Sequence, residues 1–528
     1  MNKNNASVPK DGIEGLKENF KSDSISGFIV FLLALPLSLG IAKASEFPPV
    51  TGLLTAIIGG LLVSFIMGSH LTIKGPAAGL IVIVASAVND FGGGENGWHI
   101  ACGIMVVAGI VQVVFGLLKL GKLVDFFPLS SIHGMLAAIG MIIILKQIPV
   151  LLDINPLLTK GKSPFELLAD IPYFLKHLDP KATLIGVISL WVMLSWQNNS
   201  IDFLKKIPAP LVVLMIAIPA ELMLDFQHTE PAYALVHIGN LFDVIKYNAD
   251  FSGFSSMGLF IKYVIMFALV GSLESLLTVK AVDILDPYKR KSNNDKDLIA
   301  VGIGNTFAAF LGGLPMISEV ARSSANVKNG AKTRWSNFYH GFFILFFILV
   351  ALPIIELIPN TALAAMLITV GLKLANPKEA KHMYKIGKDQ LAIFLVTIIV
   401  TLAEDLLLGI GAGVLLKIII HLYNGAPFSS LFKAPSSISF NENEYIVTIE
   451  KAALFSNFLG LKNRIQAIPY GKTVTIDLNN TKLIDHSVME SLHEFKLDYE
   501  ANNGVVNIIG LENHQPMSSH QLASRKKK

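Results

Sequence analysis

From about residue 25 to residue 425 the chain is a succession of apolar runs separated by short polar or Gly/Pro-containing breaks. The runs lie near 25–42, 50–67, 76–89, 98–118, 129–152, 182–196, 208–224, 257–279, 298–314, 316–327, 337–358, 361–373, 390–404 and 406–422, about fourteen in all. Runs of about 18 residues or more can cross a hydrocarbon core of roughly 30 Å as helices, so the pattern predicts a helical bundle. Two runs, 76–89 and 316–327, are too short to span alone. One opens with Gly75-Pro76-Ala77-Ala78-Gly79; the other follows Gly312-Gly313-Leu314-Pro315. When the chain is cut near residue 240, each is the third run of its half. Seven runs per half is an odd number, so the second half enters the membrane in the opposite sense. The expectation is an inverted repeat, about 25–225 and 257–422. Short, Gly/Pro-interrupted runs at matching places in two such halves point to a transporter's binding site near the midplane.

From about residue 438 the texture changes. Glu444–Lys451, Lys472–Leu478 and Val505–Leu511 read as strands, while 453–467 and 486–501 carry helical apolar spacing. Alternating strands and helices predict a small α/β domain over 438–515. Residues 1–24 form a polar N-terminal segment, and 516–528 a basic tail whose end, Ser524–Lys528, is expected to be disordered.

Composition agrees with this division. Hydrophobic residues make up 52% of the 528 and charged ones only 16%, with mean hydropathy +0.57; a soluble domain averages about 25% charged. The net charge of +4 resides largely in loops, so it reports orientation and not a nucleic-acid partner. With the N-terminus cytoplasmic, inside loops carry Lys280, Lys289, Arg290, Lys291 and Lys296, then Lys328, Lys332 and Arg334, then Lys378, Lys381, Lys385 and Lys388. The outside loop 225–256 has one lysine, Lys246, and no arginine. The loop 153–181, with Lys160, Lys162, Lys176 and Lys181 on the outside, is the exception. This predicts a multi-pass inner-membrane protein with both termini cytoplasmic. The first 25 residues lack an apolar core and a cleavage site, so the first membrane helix is expected to direct insertion. The single cysteine, Cys102, sits in an apolar run and reads as a small buried residue. A Walker-type GxxxxGK[ST] phosphate loop, a nucleophile elbow and an HExxH pair are all missing from the sequence, which argues against ATP-driven transport and hydrolysis.

The candidate chemistry gathers on the two short runs. Each helix start offers unpaired N–H groups and about half a positive charge, and two such starts can hold an anion. The small residues Gly75, Ala77, Ala78 and Gly79 would let an oxyanion approach the backbone, although small residues also serve ordinary helix packing. Glu274 lies well inside the eighth run, where an ionised carboxylate is costly and therefore a functional candidate; Thr278 shares its face. Ser318, Glu319, Val320 and Arg322 open the second short run. Glu319 is hostile to an anion unless neutralised, and Arg322 either adds positive charge or pairs with it. Ser38, after Pro36, and Ser318 are hydroxyls able to donate to an oxyanion. Glu274, Thr278 and Ser318 are the candidate coupling-ion residues. A proton needs one carboxylate, whereas Na+ needs several oxygens, and the reading leans to the proton. His70, His133 and His421 stand at run ends without metal-ligand spacing and are expected at the interface.

The same residues carry a family resemblance. Pro48-Pro49-Val50-Thr51-Gly52-Leu53, Gly59-Gly60, Gly68-Ser69 and Gly75-Pro76 resemble the opening of the SulP transporters, the sulfate permease and anion exchanger family. Gly302–Asn305, Gly312-Gly313-Leu314-Pro315, Arg322-Ser323-Ser324-Ala325-Asn326 and Gly330-Ala331-Lys332-Thr333-Arg334 resemble its second-half signature. The C-terminal region resembles a STAS domain, with Asp485-His486-Ser487 where Asp-Ser-Ser is usual, and it is short. The resemblance implies an α-helical polytopic membrane protein with a seven-plus-seven inverted-repeat transporter fold and a small α/β STAS-like domain. It implies a homodimer that carries a small inorganic anion, sulfate or bicarbonate, between its third and tenth helices. If bicarbonate is the substrate, carbonic anhydrase would be a natural cytosolic partner for the STAS-like domain. Bicarbonate carriers of the bacterial branch have Asp where Glu274 stands and Gly-Ala-Thr where Ser318-Glu319-Val320 stands, so their sodium coupling does not carry over directly.

Overall fold

The computed structural model describes residues 8–122, 127–159, 162–196, 207–226, 234–433, 435–441 and 444–528. Lys160, one of the lysines of the exceptional loop, lies outside the described residues. By its packing the chain divides into two units, Met1–Lys122 with Ile139–Leu374, and Leu123–Ala138 with Ala375–Lys528.

Every apolar run corresponds to a helix. The first half contributes α1 (Gly12–Ala44), α2 (Pro49–Leu61), α3 (Ile81–Asp90), α4 (Gly94–Leu117), α5 (Leu129–Leu151), α6 (Pro180–Ser195) and α7 (Ala209–Leu224). The second contributes α8 (Met257–Leu285), α9 (Asn294–Phe310), α10 (Val320–Lys328), α11 (Trp335–Val350), α12 (Asn360–Leu374), α13 (Lys388–Ala403) and α14 (Leu406–Tyr423). Among the described residues, five helices meet both the length and the apolarity needed to cross a membrane: those within 12–44, 94–117, 129–151, 252–285 and 406–423. Helices overrun their apolar runs at the ends, so Lys280 and Lys296, expected in a loop, lie on α8 and on the first turn of α9.

Small residues set the helix contacts, as expected where lipid offers no hydrophobic drive between helices. Gly109 and Gly116, seven apart on α4, face Gly302 and Ile299 of α9 at distances that leave no room for a side chain. Gly60 of α2 meets Gly341 of α11 backbone to backbone, and Gly27 of α1 abuts Tyr339 and His340 of α11. Gly409 and Gly413 of α14 close on Thr401 and Thr397 of α13.

Ahead of each short helix runs a three-residue strand, β1 (Lys74–Pro76) before α3 and β2 (Met316–Ser318) before α10. They pair antiparallel, with Lys74 opposite Ser318, Gly75 opposite Ile317 and Pro76 opposite Met316. The pairing extends symmetrically: Ala77 N donates to Pro315 O at 3.0 Å and Glu319 N donates to Ile73 O at 2.9 Å. Antiparallel pairing is what a two-fold axis crossing the ribbon demands of equivalent strands, so the ribbon is where the two repeats meet. At about 3.4 Å per residue, three residues set the two helix starts roughly 10 Å apart along the ribbon.

The C-terminal domain carries two four-stranded sheets. In one, β3 (Ser436–Asn441) and β4 (Glu444–Ile449) run antiparallel, and β4, β6 (Thr473–Asp477) and β8 (Val505–Ile509) are parallel. The other has the order β5 (Lys451–Ala453), β7 (Thr481–Ile484), β10 (Arg525–Lys527), β9 (His514–Pro516). Helices α15 (Phe455–Gln466) and α16 (His486–Ala501) cover a core of Val447, Ile476, Leu461, Val488 and Leu492. The end of the basic tail, expected to be disordered, instead forms the strand β10. Arg525 and Lys526 pair with Ile484 and Leu483 on one side and with Pro516 and Gln515 on the other. It lies between β7 and β9, so neither strand is left with an unpaired edge there.

His421, expected at the interface, is buried on α14, and its Nε2 lies 3.5 Å from Asp485 Oδ2. Buried Lys417 on the same helix lies 3.9 Å from that oxygen. Asp485 also caps α16 by accepting from Val488 N at 2.8 Å and takes Phe455 N at 2.8 Å. The Asp485-His486-Ser487 loop is therefore docked on a membrane helix, and Ser487 Oγ is buried.

Candidate functional site

Around the ribbon the structure collects most of the residues singled out in the sequence. Ala77, Ala78, Gly75 and Gly79 are all buried, and the turn Ala78–Leu80 that leads into α3 has no side-chain cap. The start of α10 differs. Glu319 is its N-cap, and its Oε2 accepts from Ala321 N at 3.1 Å and Arg322 N at 3.4 Å. The two helix starts are thus unlike: one is open to an anion, and the other already holds a carboxylate. Val320, the first residue of α10, has an exposed side chain.

Arg322 is fully buried, and none of its three guanidinium nitrogens has a hydrogen-bond partner among the described residues. It lies against Gly75, where a β-carbon would collide with Nη1. Glu274 reaches across from α8 to the open turn: a β-carbon on Gly79 would overlap its carboxylate. Both Glu274 oxygens, Thr278 Oγ1 and Ser38 Oγ are likewise buried without partners among the described residues. Glu319 is close enough to act electrostatically on both Glu274 and Arg322. Unpartnered buried donors and acceptors cost about 1–3 kcal/mol each, and more when charged. A cluster of them at one place is a departure from ordinary protein interiors, where buried polar groups are paired.

His340 of α11 belongs to this neighbourhood, with both ring nitrogens buried and without hydrogen-bond partners among the described residues, and with Arg322 acting on its charge. In the sequence it is masked by its aromatic and apolar surroundings, Phe338 to Phe347, and its signal is a histidine inside a spanning run.

Ser318 does not stand with Glu274 and Thr278. Its Oγ receives Lys74 Nζ at 2.5 Å and Ser275 Oγ at 3.1 Å, and donates to Asp297 Oδ2 at 3.2 Å. One donor and two acceptor positions are all a hydroxyl has, so this one is spent. The Lys74–Asp297 ion pair, 2.6 Å long and fully buried, was not legible beforehand. The available signals were a lysine directly before Gly75-Pro76 and an acid at the start of the ninth run. Among the described residues no group of three or more His, Cys, Asp or Glu could hold a metal ion.

Comparison with known proteins agrees with this architecture. The model of the sulfate permease family matches residues 20–397. The chain is 27% identical over 518 residues to YvdB of Bacillus subtilis, covering 96% of this chain and 94% of that protein. It is 26% identical over 408 residues to the bicarbonate transporter BicA of Picosynechococcus, covering 75% of this chain and 69% of BicA. The solved structure of the murine Slc26a9 anion transporter shares the fold, with TM-score 0.68 and 16% identity over 95% of this chain and 86% of that one. The match over 20–397, together with paired half-helices in a bundle of apolar helices, means that the chain belongs to the sulfate permease family of membrane transporters and is not an enzyme.

Proposed function

We propose that this protein is a secondary active transporter that moves a small inorganic oxyanion, sulfate or bicarbonate, across the inner membrane by alternating access. The observation that carries the reading is Arg322, a fully buried guanidinium whose nitrogens have no hydrogen-bond partner among the described residues, beside the ribbon that joins the two repeats. A guanidinium presents donors in a fork that matches planar or tetrahedral oxyanions. The uncapped turn at Ala78–Leu80 adds backbone donors and the positive end of α3. Ser38 supplies a hydroxyl.

Glu274 faces the same turn and would repel an anion there unless its charge were neutralised, which ties anion entry to cation entry. A proton on Glu274 does this with one residue. Sodium finds less support, because Ser318 is already bonded to Lys74 and only Glu274 and Thr278 remain of the oxygens expected for it. Family names favour both anions: the family is described by sulfate, and a relative by bicarbonate.

The test is uptake of labelled sulfate and of labelled bicarbonate into proteoliposomes holding the purified protein. One of the two is expected to accumulate, and Arg322→Ala to abolish its uptake. Flux of neither anion would overturn the reading, and flux that never exceeds equilibrium would make the protein an anion channel of the same fold.

A further inference from the structure

Lys74 and Asp297 form the most enclosed ion pair of the crossover, and the anion site makes no use of it. Both side chains are fully buried, with Nζ to Oδ2 at 2.6 Å. Asp297 is saturated: Oδ1 receives Ser69 Oγ at 2.9 Å and the N–H groups of Gly68 and Ser69 at 3.2 Å, and Oδ2 receives Lys74 and Ser318. Lys74 Nζ is held between Asp297 Oδ2 and Ser318 Oγ, and its own backbone N–H is fixed by Asn337 Oδ1 at 3.0 Å. Ser318 in turn takes Ser275 Oγ, the neighbour of Glu274 on α8. The pair therefore ties β1, β2, α8 and α9 together at the register position where Lys74 faces Ser318.

Two oxygens from separate elements, one of them a buried carboxylate, are the beginnings of a site for a monovalent cation. Here the cation is covalently attached. We propose that the Lys74 ammonium is a tethered cation, filling between Asp297 and Ser318 the place that a free sodium ion would otherwise have to occupy for the crossover to hold its shape. An ammonium carries the same unit charge as sodium and offers N–H donors to the same oxygens. Being attached, it is always present, so the ribbon is assembled without a soluble ion. Lys74 is thus a positioning residue: it sets the ribbon, and through Ser318 and Ser275 the part of α8 that presents Glu274, without touching the anion. This goes beyond the transport reading, since it concerns a cation place that neither moves nor exchanges in the wild-type chain.

The prediction is read by binding, so it stands apart from the identity of the transported anion. Thermal unfolding of the purified full chain is followed in sodium chloride and in choline chloride at equal ionic strength. Wild type is expected to unfold at the same temperature in both. Lys74→Ser, which removes the ammonium and adds one oxygen, should unfold lower in choline and be shifted upward by sodium in a saturable way. Where Lys74→Ser fails to fold in choline, its recovery should require sodium during purification. The double variant Lys74→Ser/Asp297→Asn, which has no charge left to compensate, should fold and show no preference between the salts. A Lys74→Ser protein that responds equally to both salts, a double variant still stabilised selectively by sodium, or a wild-type protein stabilised as much as Lys74→Ser would each overturn the proposal.

Discussion

Gly79 and the carboxylate of Glu274 share one place: the position a β-carbon would take on Gly79 is already filled by Glu274's two oxygens. The glycine is there because of the glutamate, since its backbone conformation is one that any residue could adopt. Gly79→Ala should therefore push Glu274 off the uncapped turn while leaving the fold intact. Overpacking of this kind costs about 1–3 kcal/mol. Anion uptake is expected to fall roughly tenfold or more, with the amount of folded protein unchanged by size-exclusion chromatography. Wild-type uptake by Gly79→Ala would show that the contact is dispensable.

Glu274→Gln tests the charge alone. It keeps the shape and the burial but removes the ionisable group. Accumulation against a gradient should be lost, while downhill exchange of the anion persists. A Glu274→Gln protein that still concentrates the anion would remove Glu274 from coupling.

Ala78, buried at the open turn, tests where the anion lies. Leucine there would fill the space in front of the backbone donors. Uptake should be blocked and labelled anion binding lost together. If Ala78→Leu binds and transports normally, the anion is held elsewhere.

The bundle was legible because apolar runs of about 18 residues admit few other readings, and the paired short runs because glycine and proline interrupt them at matching positions. Glu274 was legible because a lone carboxylate in a spanning run is rare. Lys74 and Asp297 were not. Each stands at the edge of a run, where charge is ordinary, and only the folded crossover brings them to 2.6 Å across 223 positions of sequence. The strands β1 and β2 were hidden for a related reason: three residues carry no periodicity, and their partners are supplied by the repeat and not by a turn. In the C-terminal domain the central strands showed as alternating apolar residues. The closing strand Arg525–Lys527 did not, because its role depends on backbone pairing and its side chains are all cationic.

The same closing strand offers a pH test outside the membrane. His486 is buried, and burial pushes its imidazole below its ordinary range; a contact to Leu522 O at 2.8 Å works against this shift. Lys417 and His520 act in the same direction as burial, Asp485 opposes it, and Glu490 lies 3.5 Å from Nε2. A lowered value in the folded state means that protonation favours unfolding. Stability is then held above the unfolded value of about 6.5 and lost as pH falls from there through the folded value. Hydrogen exchange in the full chain should show 522–527 opening more readily below about pH 6 than at neutrality, after correction for intrinsic rates. His486→Gln should abolish the difference. An unchanged acid response in that variant would assign it to another group.

The driving ion is the last matter the geometry bears on. Sodium binding at membrane depth needs several oxygens to replace lost water, and the sequence offered Glu274, Thr278 and Ser318 for it. The structure withdraws Ser318, whose three hydrogen-bonding positions are taken by Lys74, Ser275 and Asp297. Val320, exposed and apolar, adds none. Glu319 has an oxygen engaged with Ala321 N and Arg322 N at the start of α10, so recruiting it would uncap that helix. A proton asks for none of this: it needs only Glu274, whose two oxygens are buried and unpartnered among the described residues. An inward proton gradient in sodium-free proteoliposomes should therefore drive concentrative uptake, and a proton ionophore should collapse it. Replacing choline by sodium at fixed pH should change the rate little. Strict dependence on sodium, with no response to the pH gradient, would mean that Glu319 leaves its cap to complete a metal site with Glu274 and Thr278, and Glu319→Gln would then abolish uptake along with Glu274→Gln.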